Sequence, residues 1–143
     1  MAGPGRYDRA VIRRGEVLAV VAAGGVLGAL ARYGLGVAFP AGRRGFPWAT
    51  FAINVSGCLL IGVLVVLVTE VWTAHRLLRP FLGTGLLGGY TTFSTYVVDV
   101  TRLTGSGAAG TALVYLGGTL LAALAATYLG VLGTRAVARR RLA

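Results

Sequence analysis

The stretch GGYTTFSTY, Gly88 to Tyr96, decides how the fold is read. It sits inside an apolar segment, yet two glycines, three threonines and a serine crowd around its aromatic rings. A helix in lipid satisfies its backbone internally, so a break at membrane depth must be satisfied by protein, water or an ion. If Gly88-Gly89-Tyr90-Thr91 unwinds, its carbonyls lose their helical partners. Unwound carbonyls of this kind hold Na⁺ in some broken helices. The other outcome is a kink relaxed by threonine side chains.

The surroundings of that stretch place it in a membrane. Of 143 residues, 56% are hydrophobic and 13% charged, and the mean hydropathy is +0.77. A soluble domain of this size needs more polar surface. At about 20 residues per span, the chain has room for four helices. The first runs roughly over 17–39, the second over 48–71, the third over 80–100 and the fourth over 108–132. The organisation is a basic N-terminal segment (1–16), a four-helix transmembrane domain (17–132) and a basic C-terminal tail (133–143). Arginines precede the first apolar run as in a signal peptide. The run is too long for one, and Arg32 lies inside it before any plausible cleavage site. Trp48 and Trp72 bracket the second span as interfacial aromatics.

Charge is lopsided. All fourteen basic residues are arginine, and only Asp8, Glu16, Glu70 and Asp99 oppose them, for a net charge of +10. Most of the arginines lie at span ends, where anionic headgroups attract them. A positive field also favours an anionic solute at a pore mouth. The single Cys58 excludes a disulfide framework within the chain and argues against a metal cluster. His75, beside Arg76, reads as an interfacial residue.

Several polar groups lie within the spans: Arg32, Asn54, Ser56, Thr91, Thr92, Ser94, Thr95, Asp99, Thr111, Tyr115 and Thr119. Amide and ionisable groups at that depth face a cavity or a partner. Single hydroxyls more often bond back to their own helix. Thr111, Tyr115 and Thr119, however, recur every four residues and form one stripe. Phe93 and Tyr96 share a face of the third span. No carboxylate lies deep, which argues against a proton-coupled exporter and against a cation path. Hydroxyls, an amide and ring edges suit a small, strongly hydrated anion. Glycines at small-xxx-small spacing, Gly24 and Gly28, predict close helix packing. Gly57, Gly62, Gly117 and Gly118 are expected to help less specifically.

Three stretches then carry a resemblance: GGVLGALARYGLG (Gly24 to Gly36), TFAINVSGCLLIG (Thr50 to Gly62) and GLLGGYTTFSTY (Gly85 to Tyr96). Together the chain resembles the Fluc (CrcB-type) fluoride channels over all four spans. The resemblance implies an all-α integral membrane protein with a broken third helix, assembled as an antiparallel (dual-topology) dimer. It implies two fluoride pores at the subunit interface and a central structural Na⁺. Carried onto this chain, the pore residues are Asn54, Phe93, Ser94, Tyr96, Tyr115 and Thr119. The Na⁺ carbonyls are those of Gly88 and Thr91. Arg32 matches the arginine near the end of the first helix, and Asp99 falls where the family often carries Glu near a vestibule. Such a protein is no enzyme: it exports cytoplasmic fluoride passively across the cell membrane and lowers fluoride toxicity. The other readings are a small multidrug-type proton-coupled exporter and a non-conducting membrane subunit.

Two departures matter. The family stretch usually ends in Phe where this chain has Tyr96, so a phenol hydroxyl is added as a constriction or as a further donor. The hydroxyl stripe also stops at Ala123, the next i+4 position after Thr119.

The four-span reading puts both termini and the middle loop on one side with ten arginines, and four elsewhere. That bias predicts cytoplasmic termini. It also sits badly with a homodimer that must insert both ways, and it favours an oppositely oriented paralogue as partner.

Overall fold

The computed structural model describes residues 6–71 and 76–142, with side chains over 14–71 and 76–139. Trp72, His75, Asp8, Arg6, Arg9, Arg13, Arg140 and Arg141, used above for belt, loop or charge, lie outside the described side chains. The described chain is helical throughout apart from its connections. Helix α1 spans Arg6–Ala38, α2 Trp48–Val66, α3 Gly88–Tyr90, α4 Phe93–Gly105 and α5 Ala109–Leu142. α2 continues as a π-helical turn, Leu67–Val71, and a π-helical segment, Pro80–Leu87, leads into α3. Three helical stretches, Arg14–Ala38, Trp48–Val71 and Ala109–Arg139, are long and apolar enough to cross a membrane.

Local sequence sets the boundaries. α1 stops ahead of Pro40, which disfavours helical geometry in the residue before it. Pro47 immediately precedes α2, and Pro80 opens the segment 80–87, where its missing N–H costs nothing. α4 runs further than expected. The predicted connection 101–107 is helical to Gly105, because the end is closed by a Schellman motif instead. The Gly107 N–H donates to Thr104 O (3.0 Å) and the Ala108 N–H to Leu103 O (2.9 Å). Gly107 has φ +77°, which needs glycine, and Ala108 packs on buried Leu103.

Backbone-to-backbone packing joins α1 to residues 80–90. A Cβ on Gly24 would lie 2.5 Å from the Phe81 carbonyl oxygen, and one on Gly85 2.8 Å from that of Val21. Gly28 and Gly89 are tighter still, against Leu86 O and Gly25 O. The Gly24–Gly28 spacing thus does the work expected of it. α2 and α5 cross in the same way where Gly62 meets Thr127 and Gly130 meets Leu59. Gly57 closes on the Thr91 methyl. Gly117 and Gly118 make no such contact among the described residues, where a Cβ on either meets nothing within 4 Å. The small core at the α4–α5 end is Leu103, Ala112 and Tyr115, flanked by Phe46, Phe51, Tyr96, Val100 and Ala108.

On the termini side two ion pairs link elements: Glu16 of α1 with Arg76, and Glu70 with Arg135 of α5 (2.6 Å). On the opposite side Arg102 donates to the Arg43 carbonyl (2.8 Å) and Arg44 Nε to Ser106 O (2.8 Å), which ties the first loop to the α4–α5 turn.

Candidate functional site

Helical geometry stops at Thr91 (φ −75°, ψ 157°) and Thr92 (φ −149°, ψ 123°) and resumes at Phe93. In a continuous helix the Thr92 N–H would bond to the Gly88 carbonyl. Here it donates to Asn54 Oδ1 (2.8 Å), and Asn54 Nδ2 donates back to the Thr92 carbonyl (2.9 Å). The amide of α2 thus replaces the lost helical partner of the Thr92 N–H and adds a second donor to the Thr92 carbonyl, which as N-cap carbonyl already accepts the first bond of α4. The Thr92 hydroxyl caps α4 by accepting from the Thr95 N–H (3.1 Å), and it donates to Thr95 Oγ1 (3.0 Å). On the α1 side, Arg32 Nε donates to the Gly89 carbonyl (3.1 Å). The Thr91 hydroxyl bonds back to Leu87 O (3.0 Å).

A cavity of about 490 Å³ opens beside this break, lined by Asn54 and Cys58 of α2, Thr91, Thr92, Phe93 and Tyr96, and Leu116, Thr119, Leu120 and Ala123 of α5. The Phe93 and Tyr96 rings are 5.8 Å apart, and the Tyr96 and Tyr115 rings 5.2 Å. Phe93 is 77% exposed, so the cavity is open on that side of the chain. Buried beside it are two hydroxyls without a hydrogen bond of normal geometry, Tyr115 Oη and Thr119 Oγ1, on residues 0% and 5% exposed, although the Tyr115 phenol lies close to the Thr50 hydroxyl and the Asp99 carboxylate. Leaving a buried hydroxyl unbonded costs about 1–3 kcal/mol, so such orphans need an occupant to explain them.

The added phenol of Tyr96 has a specific role. Its hydroxyl donates to the Leu116 carbonyl (2.7 Å), so its proton is held by α5 rather than offered to an anion.

The predicted site residues divide. Asn54, Phe93, Tyr96 and Thr119 line one cavity together with Thr91, and Tyr115 abuts it. Ser94 is exposed and lies 3.3 Å from Thr92 Oγ1, outside the cavity lining. Arg32 lines a separate cavity of about 330 Å³ with Tyr33, Thr50, Thr92 and Thr95. Asp99 accepts from the Thr50 hydroxyl (2.8 Å) and pairs with Arg102 (3.3 Å).

Residues 19–131 match the family model described as "CrcB-like protein, Camphor Resistance (CrcB)". The chain belongs to the CrcB-like family. Among its relatives is the "Fluoride-specific ion channel FluC 2" of Nocardia farcinica, 57% identical over 114 residues, which covers 80% of this chain and 81% of the relative. "Fluoride-specific ion channel FluC 2" of Streptomyces avermitilis is 53% identical over 117 residues, covering 82% of this chain and 74% of the relative. The same organism's "Fluoride-specific ion channel FluC 3" is 53% identical over 133 residues, covering 92% and 65%. With helices able to cross a membrane and channels as relatives, this CrcB-like chain is a membrane protein.

Sequence reasoning left out Thr50 and Cys58 as site residues and gave Thr92 no role of its own. A signal for the first two was present. Thr50, Asn54 and Cys58 recur every four residues, so they form a stripe on α2 facing the α5 stripe. Thr92 escapes such a reading because its contribution is backbone geometry.

Proposed function

We propose that this CrcB-like chain forms a fluoride-selective channel that exports cytoplasmic fluoride by passive electrodiffusion. The observation that carries the reading is the buried, unpartnered hydroxyl of Thr119, with the buried Tyr115 phenol next to it, beside the Phe93–Tyr96 ring pair. The names of the relatives support it. Fluoride in this path exchanges its water for the two hydroxyls, the free N–H of the Asn54 amide and the ring edges. No fixed positive charge lines the cavity at the break, so none traps the anion there, and neither that cavity nor the one lined by Arg32 carries a carboxylate. A negative interior drives the anion out by about 2.3 kcal/mol per 100 mV. The same lack of carboxylates disfavours proton-coupled export.

The assembly we infer is an antiparallel dimer with residues 80–105 crossing the membrane once as a broken helix. A second subunit over exposed Phe93 would close the open side of the cavity. The Gly88 carbonyl, which loses the Thr92 N–H to Asn54, and that of Thr91 fit a structural Na⁺ at the break. Cation ligation there would satisfy backbone that cannot find water in the membrane. The arginine bias favours cytoplasmic termini in the cell membrane and a partner of opposite orientation. Two FluC relatives in one Streptomyces support a paralogous partner over a homodimer.

Expression in a bacterium lacking its own fluoride exporter tests the function. Restored growth at raised fluoride, absent with chloride at the same concentration, is expected. Equal sensitivity with and without the chain, with or without a co-expressed paralogue, contradicts it.

A further inference from the structure

At the end of the fold opposite the termini, the loop between α1 and α2 carries Arg43 and Arg44 side by side, both exposed. Hydrogen bonds pin that loop to the end of α4. Arg102 donates to the carbonyls of Gly42 and Arg43, Arg44 Nε to the Ser106 carbonyl, and Ser106 Oγ to the Arg43 carbonyl. The backbone is thus fixed, while positive charge on it is left over. The Arg43 guanidinium has no hydrogen-bond or ion-pair partner among the described residues, and Arg44 commits only its Nε. The two line an open cavity of about 440 Å³ with Gly105 and Ser106, and no carboxylate lines it. Asp99, the carboxylate at this end, is held by Thr50 and Arg102. The carbonyls of Arg102, Leu103 and Thr104, which would repel an anion, are taken by the N–H groups of Ser106, Ala108 and Gly107.

The depth of this cavity narrows what it takes. The loop joins two stretches able to cross a membrane, Arg14–Ala38 and Trp48–Val71. Trp48 is 66% exposed and packs on Phe46 with ring centroids 4.5 Å apart, and an exposed indole at the start of a span belongs at headgroup level. We propose that the Arg43–Arg44 cavity is a binding site for the phosphate of an anionic phospholipid headgroup. Each guanidinium offers a fork of N–H donors that matches two phosphate oxygens. The pinned loop spares the entropy of ordering it on binding. A lipid held there adds a contact between the α1–α2 loop and the end of α4, and so stabilises the fold. The inference rests on the membrane location of the chain and not on the channel reading.

The test titrates the full chain, purified in a neutral detergent, with dioctanoyl phosphatidylglycerol, dioctanoyl phosphatidylcholine or inorganic phosphate. The readouts are the thermal unfolding midpoint and the lipid adducts retained in native mass spectra. Phosphatidylglycerol is expected to raise the midpoint saturably, and the other two to leave it in place. Arg43→Gln together with Arg44→Gln is expected to weaken the apparent affinity for phosphatidylglycerol at least about tenfold. Arg43→Gln alone breaks no bond in the described structure and is expected to weaken it about fivefold, which keeps the test decisive if the joint variant misfolds. Arg14→Gln together with Arg139→Gln removes the same charge a full membrane span away, beyond a Debye length, and is expected to change the affinity less than about twofold. Equal losses in the two joint variants would reduce the site to diffuse charge and overturn the inference. Equal stabilisation by phosphatidylcholine, or no shift and no retained adduct with phosphatidylglycerol, would also overturn it. A shift with inorganic phosphate as large as that with the lipid would make this a site for the free ion and overturn the lipid.

Discussion

Asn54 and Thr92 lie 38 residues apart, and the amide of the first bonds both the carbonyl and the N–H of the second, at 2.9 and 2.8 Å. This one side chain satisfies the Thr92 N–H at the interruption between α3 and α4. Asn54→Ala leaves that N–H unpaired, at about 1–3 kcal/mol, while the Thr92 carbonyl, as the N-cap carbonyl of α4, keeps the first helical N–H. Thermal unfolding in detergent is expected to show a loss of about 1–3 kcal/mol. Parental stability of the alanine variant would mean that the pairing does not hold the break.

The interruption of helical geometry at Thr91 and Thr92 was expected from glycines and hydroxyls that have no reason to replace Leu and Val in an apolar helix. Three of the four expected spans were legible from their apolar runs, and the Gly24–Gly28 packing from its spacing. The division of labour among the polar residues was not. Asn54 reads as a pore donor by type and depth, and only the fold shows most of its hydrogen-bonding capacity spent on Thr92. Ser94 belongs to the right motif but faces away from the cavity lining, since a single residue's step turns about 100° around a helix. Gly117 and Gly118 look like packing glycines, yet a Cβ on either meets nothing within 4 Å among the described residues.

Tyr96 separates ring from hydroxyl. Its O–H bonds the Leu116 carbonyl, so Tyr96→Phe is expected to keep fluoride flux and its preference over chloride. The cost falls on stability, about 0.5–1.5 kcal/mol for one neutral hydrogen bond. A tenfold change in flux without a stability change would place the hydroxyl in the ion path.

The orphaned hydroxyls should behave in the opposite way. Thr119→Val removes a group that bonds nothing among the described residues, so its unfolding midpoint is expected to hold or rise, whereas Tyr115→Phe also gives up the phenol's attraction to Thr50 and Asp99 and is expected to hold or fall slightly. A hydrogen bond to a charged group contributes about 1.5–3 kcal/mol. Fluoride efflux is therefore expected to fall about ten- to hundredfold in each variant. Unchanged efflux in both would remove the observation on which the channel reading rests.

Glycine contacts give a structural control. Gly28→Ala drives a methyl into the Leu86 carbonyl, and overpacking of this kind costs about 1–3 kcal/mol or more. Gly133→Ala meets nothing within 4 Å and removes a helix-interior glycine. Its stability is expected to be unchanged or to gain up to about 1 kcal/mol. Equal behaviour of the two variants in thermal unfolding would contradict the backbone-to-backbone packing of α1 on residues 80–90.

Fluoride efflux from liposomes, read with a fluoride electrode and with chloride as the comparison ion, tests the central claim most directly. The account predicts fast release of fluoride and retention of chloride, from the chain alone or once an oppositely oriented paralogue is reconstituted with it. Release from the chain alone would replace the paralogous partner with a second copy. Retention of fluoride in both preparations, with folded protein in the membrane, would contradict the channel.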